Sequence, residues 1–188
     1  MPVKTKQPSL TATECAVLGL LTRGPKSGYD LKKAIAHSVG YFWGPAKSQI
    51  YAVLPRLVDA GYVTSRRVAQ SQRPDKQVYR ITTRGREALK EWIDWAPAER
   101  PPDRNPLLLK MFFGELGSPE LLVAQVRERR EEAERLKAEL NAIDEEPRDR
   151  ARDFYPRLTR RYGQLYADAI IRWAVEAERE LEEAESKR

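Results

Sequence analysis

Apolar residues in the first half of the chain fall in short runs set apart by Gly and Pro. From Leu10 the pattern opens with Thr11-Ala12-Thr13-Glu14, runs through Cys15-Ala16-Val17-Leu18-Gly19-Leu20-Leu21 and stops at Arg23-Gly24-Pro25. This predicts a first helix closed by a breaker. A second short helix is expected at Gly28-Tyr29-Asp30-Leu31-Lys32-Lys33-Ala34-Ile35. A Gly44-Pro45 break separates it from a third, running from Ala46 to about Ala60. In that third helix Ile50, Val53, Leu54, Leu57 and Val58 recur at three- and four-residue steps and form one buried stripe. Beyond Ala60 the period shortens to two. A strand is predicted from about Tyr62 to Ala69, then a turn at Ser71-Gln72-Arg73-Pro74-Asp75. A return strand follows from Lys76 to Thr82, with Tyr79 and Ile81 packing inward. Helices followed by a hairpin, in this order, predict a winged helix-turn-helix over residues 1–96.

The second half reads differently. Pro97, Pro101, Pro102 and Pro106 mark residues 97–106 as a linker, because each proline lacks an amide donor and clashes with the preceding turn. From 107 to 188 the pattern is helical. Leu122, Val126, Arg129, Ala133, Leu136, Leu140 and Ile143 alternate steps of four and three, a heptad seam interrupted by one arginine. After Glu145-Glu146-Pro147 a second seam runs through Leu158, Tyr162, Leu165, Ala169, Trp173, Ala177 and Leu181. Two long amphipathic helices with no other core to cover them need a partner. An antiparallel hairpin pairing with its copy supplies one, with Leu122, Val126, Leu136, Leu140, Leu158, Tyr162, Leu165 and Trp173 as dimerisation residues; packing within one chain is the alternative. The expected fold class is therefore mainly α with a small β-hairpin wing: a winged helix-turn-helix followed by an α-helical, coiled-coil-like dimerisation domain.

Charge sharpens the picture. Residues 1–96 hold 16 Lys and Arg against 7 Asp and Glu, whereas residues 97–188 hold 18 against 21. A basic half joined to a slightly acidic one suits a polyanion-binding module carried by a dimerising or sensing module. The hydrophobic content of 41% supports a core, while 33% charge and a mean hydropathy of −0.66 point to much exposed helix surface. No apolar run approaches the roughly 20 residues of a membrane span, and Met1 to Gln7 has no signal-type apolar stretch. One cysteine excludes an intrachain disulfide framework and a cysteine-built zinc site. A soluble cytoplasmic protein without cofactor or metal is expected.

The candidate chemistry sits on the third helix and the hairpin. With its apolar stripe buried, the third helix turns Lys47, Ser48, Gln49, Tyr51, Ala52 and Arg56 outward. The N-terminal residues of a recognition helix are those that reach base edges and phosphates. Lys47 suits phosphate or guanine, and Gln49 carries the donor and acceptor that match adenine. Ser48 suits a cap or a phosphate, and the Tyr51 hydroxyl suits the backbone. On the hairpin Arg66, Arg67, Arg73, Lys76 and Arg80 gather more cations than protection of an edge strand needs. Their fitting partner is the phosphate backbone of double-stranded DNA, with steeply salt-dependent binding. A solvated helix face is the bland account of the same residues, and a winged-helix protein-protein adaptor with only non-specific DNA affinity is the rival function.

These residues carry a family resemblance. Leu18-Gly19-Leu20-Leu21, Gly24-Pro25-Lys26-Ser27-Gly28-Tyr29-Asp30-Leu31 and Ser48-Gln49-Ile50-Tyr51-Ala52-Val53-Leu54-Pro55-Arg56-Leu57 resemble the PadR family of bacterial transcription regulators. Gly61-Tyr62-Val63, Arg73-Pro74 with Lys76, and Tyr79-Arg80-Ile81-Thr82-Thr83-Arg84-Gly85 complete the set over about half the chain. The resemblance implies a homodimeric repressor on a palindromic operator. It favours Tyr29, Ser48, Gln49 and Tyr51 on the helices and Arg73 and Lys76 on the wing; Tyr29 equally suits a core. The wing tip, Gln72-Arg73-Pro74-Asp75, departs from members that have glycine there. The second half resembles the longer PadR subclass, in which extra helices form the dimer. In some relatives a tryptophan of the fourth helix lines a pocket for flat aromatic ligands, which implies a small aromatic effector at Trp92 and Trp95. Indoles at helical spacing equally suit core or interface packing.

Catalysis finds little support. His37, the single histidine, falls at a helix end, where a solvated or capping role is expected. Cys15 falls on an apolar helix face and reads as a small buried hydrophobe. No phosphate-cradling Gly-rich loop, metal-ligand spacing or nucleophile elbow is present.

Overall fold

The structure, a computed structural model, describes residues 10–69, 75–94, 104–145 and 150–185. It divides into two compact units, Met1–Arg100 and Pro101–Arg188.

The first unit contains α1 (Ala12–Leu21), β1 (Lys26–Ser27), α2 (Gly28–Ala36), a short 3-10 turn (Val39–Tyr41), α3 (Lys47–Asp59), β2 (Val63–Val68), β3 (Lys76–Ile81) and α4 (Thr83–Ile93). Local capping explains where the first helices begin. Thr11 Oγ1 accepts from the Glu14 amide at 3.3 Å, while the Glu14 carboxylate accepts from the Thr11 amide at 2.8 Å. Ser27 and Asp30 repeat this reciprocal box at the head of α2, with both bonds 3.2 Å long. Such boxes satisfy amide donors that the first turn leaves without partners. At the other end of α3, Gly61 adopts φ 71°. Its amide reaches Val58 O and the Tyr62 amide reaches Leu57 O, both at 2.9 Å. This pair of bonds is a Schellman closure, for which glycine in the left-handed region is favoured.

The sheet is antiparallel in the order β1-β3-β2. Leu18, Leu21, Leu31, Ile50, Leu54 and Leu57 form the fully buried centre of this unit's core with Val17 and Val63. The third-helix stripe is as the periodicity predicts: Ile50, Val53, Leu54 and Leu57 are buried and Val58 partly so. Ile81 is buried and Tyr79 packs partly against the same core.

The second unit contains α5 (Pro106–Phe112), a 3-10 turn (Gly114–Leu116), α6 (Pro119–Glu145) and α7 (Arg150–Glu185). Pro106, read from sequence as part of the linker, begins α5, with Asn105 Oδ1 accepting from the Leu107 and Leu108 amides. Proline is tolerated at a first helical position because its missing donor has no intrahelical partner to lose. The two long helices form an antiparallel hairpin. Its rungs are Arg130 to Glu178 at 2.8 Å, Lys137 to Asp168 at 2.7 Å and Gln164 to Asn141 at 3.1 Å.

The seam expected on α6 is present and faces α7. Leu122, Val126, Ala133 and Leu140 are buried, Leu136 and Ile143 half-buried. Leu122, Val126 and Leu140 are thereby buried within their own chain, the packing that the sequence reading held as the alternative to pairing with a copy. On α7 the contact with α6 is built mainly from residues outside the expected seam. The side chains buried there are Gln164, Ala167 and Ala174, whereas Leu158, Tyr162 and Leu165 are 49%, 62% and 50% exposed and Trp173 is half-buried. The reason is steric. A Cβ on Gly163 would sit 2.8 Å from Leu140 Cδ1. Small residues let the helices approach, and the bulky residues of α7 face away from that contact.

Candidate nucleic-acid interface

The core stripe fixes which residues of α3 face solvent. Lys47, Ser48 and Gln49 occupy its first turn and are all exposed, as are Tyr51, Ala52 and Arg56. Ala46 is the N-cap and has no side-chain oxygen to cap with. Gln49 Oε1 reaches back instead to accept from the Ala46 amide at 3.0 Å. Ser48 therefore lies inside the helix rather than at its cap. The bond turns the carboxamide oxygen of Gln49 toward its own helix.

Tyr51 is 43% exposed. Its ring lies on Gly28 at the start of α2, where a Cβ would come within 2.8 Å of Cε1. The Lys47 ammonium lies 6.0 Å from the ring centroid. Burial first and Tyr51 second raise the pKa of Tyr79. Tyr29 is 61% exposed, which removes the core alternative for it, and Lys33 stands over its ring at 5.9 Å.

The ribbon presents cations on one face. Its register pairs Thr64 with Arg80, Arg66 with Val78 and Val68 with Lys76, so alternation places Arg66, Lys76 and Arg80 together. Arg66 and Arg80 are exposed. Lys76 leans 3.7 Å from Asp30. The Ser27 hydroxyl and amide hold the Asp30 carboxyl below its ordinary range, and Lys76 adds to this. Arg67 falls on the alternate face and pairs with Asp75 at 2.7 Å. Arg73 lies outside the described residues.

Two acids that the sequence reading passed over hold cations of this surface. Arg56 does not stand free: its Nη2 is 3.1 Å from Oε1 of Glu14, a nearly buried residue of α1. Asp30 holds Lys76. The available signal was the Thr11-x-x-Glu14 and Ser27-x-x-Asp30 spacing, which brings each acid back to its helix start. Trp92 lies in the last turn of α4 and is 37% exposed, while Trp95 lies outside the described residues. Cys15 is buried, and burial first and Glu14 second push its thiol up to about 12. His37 occupies the C-cap position of α2. No helix among the described residues is long and apolar enough to cross a membrane.

A third helix with an exposed polar first turn beside a basic β-ribbon is the arrangement of a winged-helix DNA-binding protein, here with a helical hairpin as its second unit. Residues 17–91 match the Transcriptional regulator PadR-like family and residues 104–182 match Virulence activator alpha C-term. The chain is 31% identical to the virulence activator AphA of Vibrio cholerae, covering 92% of this chain and 99% of that one at a TM-score of 0.72. It is 34% identical over 98 residues, 52% of this chain and 54% of the relative, to the negative transcriptional regulator PadR of Bacillus subtilis. The structure of that Bacillus PadR with operator DNA superposes at a TM-score of 0.80, covering 91% of this chain and 99% of that one at 23% identity. The chain spans about half the length of the curated relatives it matches. It belongs to the PadR-like family of transcriptional regulators.

Proposed function

We propose that this chain is a homodimeric transcriptional repressor that binds a palindromic operator in double-stranded DNA and blocks transcription by occupying it. In this reading residues 1–96 bind DNA, 97–106 link and 107–188 dimerise, in the cytoplasm. The observation that carries it is the exposed first turn of α3, with Lys47, Ser48 and Gln49, in one unit with the cationic ribbon face of Arg66, Lys76 and Arg80. Lys47 and the ribbon cations serve the phosphates and Gln49 a base edge, with Tyr29 and Tyr51 supporting them. Arg73 joins the wing contacts by its place in the sequence.

The negative regulator among its relatives supports repression, and the operator complex of that protein supports the docking mode. Leu158, Tyr162 and Leu165 leave apolar surface on α7 that a second copy would cover. A two-fold dimer puts two recognition helices about one DNA turn apart, which is why its site is an inverted repeat. Trp92 offers an indole face on which a small aromatic effector would stack and release the operator.

Selection of duplexes from a random library by the purified protein tests the reading, followed by a reporter driven through the selected site. An inverted repeat with half-sites about 10 base pairs apart, and a reporter that falls when the protein is expressed, are expected. Absence of any enriched sequence would favour the adaptor instead, and a reporter that rises would make the protein an activator.

A further inference from the structure

We propose that Arg56 is a positioning residue, which sets the angle of α3 against α1 through Glu14, and not one of the cations that contact DNA. The inference rests on the DNA-binding reading above and deepens it by dividing the surface of α3 into residues that read and one that aligns.

The Glu14 carboxylate has a partner on each oxygen. Oε2 accepts from the Thr11 amide at 2.8 Å and from the Thr11 hydroxyl at 2.9 Å, and Oε1 meets Arg56 Nη2 at 3.1 Å. Glu14 is only 4% exposed. Burying a carboxylate is costly unless its oxygens are paired, so Glu14 calls for the guanidinium although the Arg56 side chain itself is 63% exposed. The guanidinium thus joins the last turns of α3 to the capping box that starts α1. An arginine balanced by a carboxylate this close offers a phosphate little net field. A phosphate drawn to it would also be a second anion competing with Glu14 for the same guanidinium.

Position agrees with this division. Lys47 lies nine residues earlier, about 14 Å up the helix axis. That N-terminal end is the one that reaches base edges in helix-turn-helix docking. A tilt of about 5° pivoting at Arg56 moves the Lys47 end by about 1 Å, enough to spoil a hydrogen bond to a base. Loss of the Glu14–Arg56 contact should therefore damage discrimination between sequences and leave the number of phosphates contacted alone.

The experiment compares wild type, E14Q, R56Q, R56K and E14Q/R56Q by fluorescence anisotropy across a KCl series. The probes are the duplex that the wild-type protein selects from a random library and a scrambled duplex of equal length. The affinity ratio between the two should fall about 5- to 30-fold in E14Q and in R56Q, with the salt slope unchanged. The double variant should do no worse than the weaker single variant, and R56K should recover part of the ratio. A slope flattened by about 0.9 in R56Q, with E14Q binding as well as or better than wild type, would make Arg56 a phosphate contact and overturn the proposal. A ratio that no variant moves would reduce the pair to a fold-stabilising role and overturn it equally. Should a single variant fail to fold, E14Q/R56Q, with neither charge left, carries the same slope readout. If the wild-type protein selects no duplex at all, the DNA-binding reading itself fails, and that result is distinct from any of these.

Discussion

Gly28 and Tyr51 occupy the same space: a Cβ at Gly28 would come within 2.8 Å of the Tyr51 ring. At this first position of α2, alanine gains at most about 1 kcal/mol of helix preference over glycine, and a ring that is 43% exposed is free to swing outward. G28A should therefore change the unfolding free energy by no more than about 1 kcal/mol, while DNA affinity falls about tenfold because Tyr51 is displaced. Urea melts and anisotropy on the same preparation check both halves, and equal losses in each would sink the account of Tyr51. Cys15 makes the opposite case of a group kept out of use. With its thiol pushed up to about 12 by burial, it carries almost no thiolate at pH 8. Iodoacetamide should leave it unmodified in the folded protein and label it fully in urea; rapid labelling of the native chain would contradict the packing of α1. Cys15 was legible in the sequence because its neighbours are apolar at helical spacing. The use of Gly28 was not, since it depends on a ring arriving from another helix. Gln49 was legible only in part: its exposure follows from period, whereas its return bond to Ala46 follows from a cap that lacks a side-chain oxygen.

At the scale of elements, the end of α3 and the start of α4 are locked by backbone. Gly85 sits in the first turn of α4, where a Cβ would come within 2.2 Å of the Tyr62 carbonyl oxygen. Unlike a ring, this neighbour is main chain and is itself bonded to the Thr82 amide at 3.0 Å. G85A should cost about 3 kcal/mol, at the upper end of overpacking penalties. Thermal or urea unfolding of the variant measures it, and a loss under about 1 kcal/mol would show that the junction of β2, β3 and α4 is looser than described. Elements set by strong alternation or by a clean apolar stripe, such as β2, β3 and α3, were predicted within a residue or two. The residues by which α7 packs on α6 were not. Counting large residues located the outward face, because the intrachain contact is built from Gly163, Ala167 and Ala174, whose small size is their use. Pro106 misled for a related reason: proline stops a helix from within but also starts one.

On the scale of the molecule, the proposed function assigns binding to the first unit and assembly to the second, and each half of that proposal is open to its own measurement. L158E/L165E places charges on residues already 49% and 50% exposed, so the hairpin should fold with unchanged far-ultraviolet circular dichroism. Sedimentation velocity should then show a monomer where the wild type sediments as a dimer; a variant that stays dimeric would place the interface elsewhere. The family was legible because its motifs occur in order from α1 to the first turn of α4, and the match to residues 17–91 covers that stretch. The most direct test of the central claim is fluorescence anisotropy of wild type, K47A and Q49A on a selected and a scrambled duplex across a salt series. The account predicts that K47A flattens the salt slope by about 0.9 on both duplexes. It predicts that Q49A weakens the selected duplex by about 1–3 kcal/mol and leaves the scrambled one unchanged. Equal, salt-labile binding of both duplexes by all three proteins would contradict it, leaving α3 as a solvated face rather than the reading helix.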